Sequence, residues 1–91
     1  KRLFLSHNRI CDAGVVALLD NLGAAELKQL ELLSLRNNQI TDAGCATLTA
    51  AIQGGRLPAL RVKYPMAGNP ASAEARQALH DALVANEARA V

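Results

Sequence analysis

Two segments of the chain, LFLSHNRICDAGVVALLDNL at residues 3–22 and LSLRNNQITDAGCATLTAAI at residues 33–52, repeat one pattern. They are offset by 30 residues and are identical at eight of twenty positions. The identical pairs are Leu3/Leu33, Leu5/Leu35, Asn8/Asn38, Ile10/Ile40, Asp12/Asp42, Ala13/Ala43, Gly14/Gly44 and Leu18/Leu48. A fixed period of this length is typical of repeat architectures.

A third, weaker copy follows at an offset of 31 residues. Asn69, Leu79 and Leu83 keep the pattern, whereas Tyr64 and Met66 replace the two leucines of the L-x-L element. Ala73 and Ala75 replace the Asp and Gly of the D-A-G triplet. A degraded copy is typical of a terminal repeat. We therefore interpret 1–91 as one domain made of a first, second and third copy at about 1–29, 30–59 and 60–91.

Each copy predicts a strand, a turn and a helix. The alternation in L-x-L indicates a short strand with its leucines on one side, and the later apolar spacing of three and four residues indicates a helix. The predicted strands lie near 3–5, 33–35 and 63–66, and the predicted helices near 12–22, 42–53 and 72–87. Glycine and proline predict loops at Gly23–Glu26 and Gln53–Pro58.

The helices are predicted to bury small and aliphatic side chains. Gly14, Leu18 and Leu22 share one face of the first helix, and Gly44, Leu48 and Ile52 share the matching face of the second. In the last helix the buried stripe is predicted to contain Ala75, Ala78, Leu79, Ala82 and Leu83.

Polar residues at fixed positions are predicted to serve the turns. We expect Asn8, Asn38 and Asn69 to be buried and bonded to backbone groups of their own turn and of a neighbouring copy. Thr41 and Ser72 stand where a helix N-cap is needed. Asp12 and Asp42 lie two residues before the glycine of each D-A-G triplet, where the dipole of the helix N-terminus favours a carboxylate.

The repeated motif L-x-L-x-x-N-x-I-x-D-A-G-x-x-x-L-x-x-x-L resembles the leucine-rich repeats of ribonuclease inhibitor. Similar repeats occur in Ran GTPase-activating protein, in NLR immune receptors and in tropomodulin-like proteins. The resemblance covers 3–52 closely and 57–87 loosely. It implies an α/β solenoid of about three repeats, with parallel strands on the concave side and helices on the convex side. It also implies recognition of another protein.

Composition and charge narrow the function. A net charge of +2 without any run of Lys or Arg argues against nucleic-acid binding. No stretch reaches the ~20 apolar residues of a membrane span. The two cysteines make neither a disulfide framework nor a zinc set, which favours an intracellular and cytoplasmic setting. Cys45 is interpreted as a small core residue.

A candidate binding face follows from the alternation. Residues between the inward leucines point out of the concave sheet, where Phe4 and Leu32 are the apolar members. The candidate protein-binding residues are Arg2, Phe4, Ser6, His7, Leu32, Ser34, Arg36, Asn37, Lys63 and Pro65. The alternative is that these are scattered surface residues without a partner.

No catalytic constellation, cofactor site or metal site is predicted. His7, Cys11, Cys45 and His80 fall at different points of the repeat, so they do not form a zinc site. Asp12 and Asp42 could form a carboxylate pair, but the helix-terminus interpretation is favoured. G-N-P-A-S lacks the Lys and second Gly of a phosphate loop.

The sequence thus predicts a non-catalytic protein-interaction module. Two alternatives stay open: a structural subunit of a large assembly, and a regulator of a small GTPase. We also expect the natural protein to contain further repeats before the first copy, or a partner to cover residues 1–10, because a solenoid normally covers its open end.

Overall fold

The computed structural model describes residues 2–61 and 66–89. The strands are β1 (Arg2–Phe4) and β2 (Leu32–Ser34). The helices are α1 (Asp12–Asn21), α2 (Ala24–Gln29), α3 (Asp42–Gln53) and α4 (Ala73–Arg89). The predicted strand–turn–helix order is therefore confirmed in the first and second copies, and the predicted helix of the third copy is present.

The two strands pair in parallel, as predicted, and each begins one residue earlier than expected. The register places Arg2 opposite Leu32, Leu3 opposite Leu33 and Phe4 opposite Ser34. Hydrogen bonding continues past the strand ends, because the amides of Leu5 and His7 donate to carbonyls of the second copy at 2.9 and 3.0 Å. The offset of 30 residues in the sequence is thus the physical register of the sheet.

The third copy continues this backbone pairing. The Asn37 amide donates to the Ala67 carbonyl at 2.9 Å, and the Ala71 amide donates to the Ile40 carbonyl at 3.1 Å. Of the predicted third strand, 63–65 lie outside the described residues, and Met66 is a buried turn residue. The pairing of this strand stays a prediction.

The core is best formed in the second copy, which is covered on both sides. Leu33, Leu35, Ile40, Leu48 and Ile52 are buried there. Their equivalents in the first copy, Leu3, Leu5, Ile10, Leu18 and Leu22, are only partly buried. The difference arises because a thin layer must pack against both of its neighbours, and the described residues cover the first copy on one side only.

The most buried positions of α1 are different from the predicted ones. Val15 and Leu19 are almost fully buried, while Gly14, Leu18 and Leu22 remain partly exposed. The equivalents of Val15 and Leu19 in α3 are Cys45 and Thr49, which are also buried. Helix-to-helix packing between copies therefore adds a second buried stripe that repeat periodicity alone did not reveal.

The loop predicted at Gly23–Glu26 is wrong, because α2 begins at Ala24. The carboxylate of Glu26 accepts the Gly23 amide at 2.8 Å, and the Leu27 amide donates to the Gly23 carbonyl at 3.0 Å. Gly23 is thus the N-cap of a short helix that brings Leu27 and Leu30 into the core. The loop predicted from Gln53 is present, although Gln53 itself is the last residue of α3.

The last helix buries part of its predicted stripe and one polar residue besides. Leu79, Ala82 and Leu83 are buried, whereas Ala78 is exposed. Asn86 is also buried, and its side-chain amide donates to the carbonyls of Leu57 and Leu60 at 2.8 and 3.1 Å. This contact ties α4 to the loop after α3.

Candidate protein-binding face

The outward residues of the two strands and of the turns that follow them form one surface, here called the strand face. It consists of Arg2, Phe4, Ser6, His7, Leu32, Ser34, Arg36 and Asn37. The candidates Lys63 and Pro65 lie outside the described residues. All eight members of the strand face are partly or fully exposed. The structure therefore brings the described candidates together.

The centre of the strand face is apolar. Phe4 is 64% exposed, the highest value among the exposed large hydrophobic residues of the described chain. The register places Phe4 opposite Ser34. The partly buried Leu32 lies two residues before Ser34 on the same side of β2. Exposing an aromatic side chain to this extent leaves apolar area that a partner can remove from water.

Two contacts between the copies organise the polar members of the face. The hydroxyls of Ser6 and Ser34 are 2.8 Å apart. The side-chain amide of Asn37 lies 3.4 Å from His7 Nε2. The bond between Ser6 and Ser34 is diagonal, because the register partner of Ser34 is Phe4. The bonded pairs restrict the rotamers of four side chains, so less entropy is lost when a ligand binds.

A column of left-handed residues ends the strand face. His7 and Asn37 have φ values of 59° and 58°, and Gly68 in the third copy has a φ of 81°. Alternation would direct these positions inward after Leu5 and Leu35, but the positive φ turns the chain so that they are exposed. At Gly68 a Cβ would lie 2.0 Å from Asn37 Oδ1, so glycine is required there.

The turn asparagines form a ladder that supports the face from behind. Asn38 is 7% exposed and accepts the amides of Asn8 and Ile10, each at 3.1 Å. Its own amide donates to the carbonyls of Leu5 and Leu35 at 2.9 and 3.0 Å. The bonds reach both its own copy and the copy before it. The prediction for Asn38 is confirmed.

The next member of the ladder repeats this arrangement. Asn69 is buried, accepts the Ile40 amide at 3.0 Å and donates to the Leu35 carbonyl at 2.7 Å. Asn8 differs, because it is exposed and its side chain donates only to carbonyls of its own turn, Leu5 and Ser6. The prediction that Asn8 is buried is wrong, since no described residue covers that side of the first copy.

The D-A-G aspartates link each copy to the next. Asp12 accepts both the amide and the hydroxyl of Thr41, and Asp42 accepts the Ser72 amide at 2.6 Å. The bonds from Thr41 lower the pKa of the Asp12 carboxyl from its usual value. Each aspartate therefore lies in the first turn of its own helix and bonds to the residue that precedes the helix of the following copy.

The two predicted N-caps behave differently. The hydroxyl of Ser72 accepts the Ala75 amide at 3.1 Å, as a capping serine does. Thr41 occupies the N-cap position of α3 but makes no side-chain capping bond, because its hydroxyl donates to Asp12. The predicted N-cap position of Thr41 is therefore confirmed, although its side chain bonds to Asp12 and not to an amide of α3.

The helical side presents a different surface. Its exposed large apolar residues are Val16 and Val84, which are 42% and 48% exposed and lie on α1 and α4. A shallow depression near the end of α3 is lined by Gln53, Ala78, Asp81, Ala82, Ala85 and Arg89. It contains no aromatic residue that would anchor a partner.

The described residues form neither a metal-binding cluster nor a membrane-spanning helix. Within 2–61 and 66–89, no group of three or more His, Cys, Asp or Glu side chains is arranged to hold a metal ion. No helix in these ranges is both long and apolar enough to cross a bilayer.

Cys11 is exposed and Cys45 is buried, and both are free thiols. Cys45 is thus the core residue that the sequence predicted.

The sequence reasoning missed several residues that hold the copies together. The forward bonds of Asp12 and Asp42 span 29 and 30 residues, close to the length of one copy, and this spacing was their signal in the sequence. The buried Asn86 had no such signal, because it has no counterpart in the repeated pattern. The left-handed column was signalled by Asn37 and Gly68, residue types that favour positive φ.

A comparison with protein-family models agrees with this geometry. The model described as Leucine Rich repeat matches residues 1–19 and 28–48. These segments contain both strands, the turns with Asn8 and Asn38 and the starts of α1 and α3. The match supports a leucine-rich-repeat protein, a class of modules that generally mediates protein–protein interaction. No curated protein and no solved structure matches the chain.

Proposed function

We propose that this chain is a non-catalytic interaction module that binds another protein through its strand face. The proposal includes three stacked repeats of the ribonuclease-inhibitor-like type within one domain, with the strand face on the concave side. The 30-residue period and a full helix in the first two copies support that subtype. Free thiols at both cysteines support a reducing, intracellular setting.

The exposed aromatic ring of Phe4 carries the proposal. Hydration of an exposed aromatic ring is unfavourable, so a partner that covers the ring gains free energy. Aromatic residues with neighbouring polar groups are the usual anchors of protein interfaces. Leu32 enlarges this apolar centre, and Arg2 and Arg36 provide hydrogen-bond donors at either side. The face is also held in shape by the asparagine ladder and by the pairs Ser6/Ser34 and His7/Asn37.

The test compares two double variants of the full 91-residue chain as bait in affinity capture. The first variant carries Phe4→Glu with Leu32→Glu and places charge at the centre of the strand face. The second carries Val16→Glu with Val84→Glu and places the same charges on exposed apolar positions of the helices. Partners are identified by mass spectrometry.

We expect the strand-face variant to lose the captured partner and the helical variant to retain it. Removing an interface anchor costs on the order of 2 kcal/mol or more, which is roughly a thirtyfold loss of affinity. Circular dichroism must show the same helix content in both variants. A partner that is retained by the strand-face variant and lost from the helical variant would place the binding site on the helices instead.

A further inference from the structure

The charges of the protein are divided unequally between the strand face and the helices. The chain has eight acidic residues. Seven of them, Asp12, Asp20, Glu26, Asp42, Glu74, Asp81 and Glu87, lie within helices. The eighth, Glu31, is exposed and precedes β2, where alternation places it on the side of Leu33 and opposite to Leu32. The charged members of the strand face, Arg2 and Arg36, are therefore both cations.

These two cations are available to a ligand. Arg2 and Arg36 are both exposed. Neither guanidinium forms an ion pair with a carboxylate in the parts of the chain that the structure describes. A guanidinium presents a rigid fork of donors that fits a carboxylate in two-point contact. The strand face thus has two unpaired sites for a carboxylate.

The spacing of the cations matches an extended chain. Arg2 precedes Phe4 by two residues, and Arg36 follows Ser34, the partner of Phe4, by two residues. At about 3.3 Å per residue, each cation lies roughly 7 Å from the aromatic centre along the strand direction. Side chains on one side of an extended peptide also recur about every 7 Å. Cation, apolar centre and cation therefore follow the repeat of a bound extended segment.

We infer that the strand face binds an acidic, extended segment of a partner protein with the pattern acid-x-apolar-x-acid. The apolar side chain packs on Phe4 and Leu32, and the two carboxylates accept hydrogen bonds from Arg2 and Arg36. This inference rests on the proposed function, because it assigns the chemistry of the partner at the same face. An apolar centre between the two cations suits a peptide better than a uniformly charged phosphate backbone.

The test uses three synthetic peptides and the ¹⁵N-labelled full chain. The first peptide has the core Glu-Ser-Leu-Ser-Glu, the second replaces both Glu by Gln, and the third replaces Leu by Ser. Amide chemical shifts report both the affinity and the place of binding. Two variants accompany them: Arg2→Gln with Arg36→Gln, and, as a control of equal net charge, Lys28→Gln with Arg76→Gln on exposed positions of α2 and α4.

We expect the Glu peptide to shift the amides of Phe4, Leu32 and Arg36. It should bind about tenfold more tightly than the Gln peptide at low salt, with about threefold from each exposed ion pair. The preference should fade in about 1 M NaCl, where charges are screened beyond ~3 Å. It should also disappear in the strand-face variant and persist in the control variant. The Ser peptide should bind more weakly than the Glu peptide because it lacks the apolar contact.

Three results would overturn the inference. Equal binding of the Glu and Gln peptides at the strand face would show that the face does not recognise carboxylates. The proposed function would still stand. Tighter binding of a short single-stranded RNA at the same amides would replace the acidic peptide by a phosphate ligand. Shifts confined to the helices, or no shifts at millimolar peptide, would remove the acidic peptide from this face. In that last case the capture experiment with Phe4 and Leu32 variants decides separately whether the face binds a protein at all.

Discussion

Replacing Asn38 by leucine tests the inter-copy ladder, because leucine has nearly the same size but no hydrogen-bonding groups. Most carbonyl groups that Asn38 serves have a second donor. Leu35 O also accepts from Asn69, and Leu5 O also accepts from the side chain of Asn8. Among the described residues, the backbone amides of Asn8 and Ile10, by contrast, donate to Asn38 Oδ1 alone.

The expected cost follows from these two amides. The Asn8 amide belongs to an exposed residue, so water can replace the lost acceptor, whereas Ile10 is partly buried. A buried donor without a partner costs ~1–3 kcal/mol. We therefore expect Asn38→Leu to lower the free energy of unfolding by about 2 kcal/mol. In a domain of this size that corresponds to a fall in Tm of roughly 8–16 °C.

Thermal unfolding followed by circular dichroism measures this change, and Asn8→Leu is the matched control. It makes the same substitution at the same position of the repeat, but the Asn8 side chain is exposed and donates only to carbonyls of its own turn. We expect less than about 0.5 kcal/mol for the control, as for other surface substitutions. Equal costs for the two variants, or a neutral Asn38→Leu, would refute the ladder as a source of stability.

Three further predictions concern the D-A-G triplet and the cysteines. Gly44→Ala should destabilise the protein by ~1–3 kcal/mol in urea unfolding, because the new Cβ would lie 2.5 Å from Asp12 Oδ1. The control is Gly14→Ala, whose Cβ would approach only one side-chain methyl, at 3.0 Å, and which should be close to neutral. Asp12→Asn should lower Tm at neutral pH. Because the folded-state pKa of the Asp12 carboxyl is depressed, the extra stability of the wild type is present above the ordinary pKa of 3.8 and is lost as the pH falls further. A Tm difference that does not change with pH would contradict a role for the ionised carboxylate. Iodoacetamide should label Cys11 in the native protein and Cys45 only after unfolding, since burial raises the pKa of the Cys45 thiol; mass spectrometry that finds equal labelling would argue against the packed core.

Periodicity predicted the parts of the fold that repeat. The pairing of Leu3 with Leu33 follows directly from the 30-residue offset, and the buried amide of Asn38 follows from its fixed place after the second leucine. These features could be predicted because equivalent residues of each copy pack in the same way. Arg2, Phe4, Ser6, Leu32, Ser34 and Arg36 could be grouped for the same reason, by alternation from the inward leucines. His7 and Asn37 are exposed because of their positive φ instead.

Features without a counterpart in the pattern could not be predicted in this way. The helix α2 depends on the bond between Glu26 and the Gly23 amide, which a count of loop-forming residues does not detect. The exposure of Asn8 depends on what covers the first copy, and repeat equivalence alone assigned it the burial of Asn38. The role of Thr41 depends on a carboxylate 29 residues earlier in the chain. Each miss concerns a contact between copies or a departure from the repeat.

Photo-crosslinking tests the central claim, binding of a partner protein by the strand face, most directly. Benzoylphenylalanine is placed at position 4 in one chain and at position 84 in another, both exposed apolar sites but on opposite elements, β1 and α4. With the partner identified by capture, we expect a crosslink to that partner from position 4 and none from position 84. A crosslink from position 84 alone would contradict it.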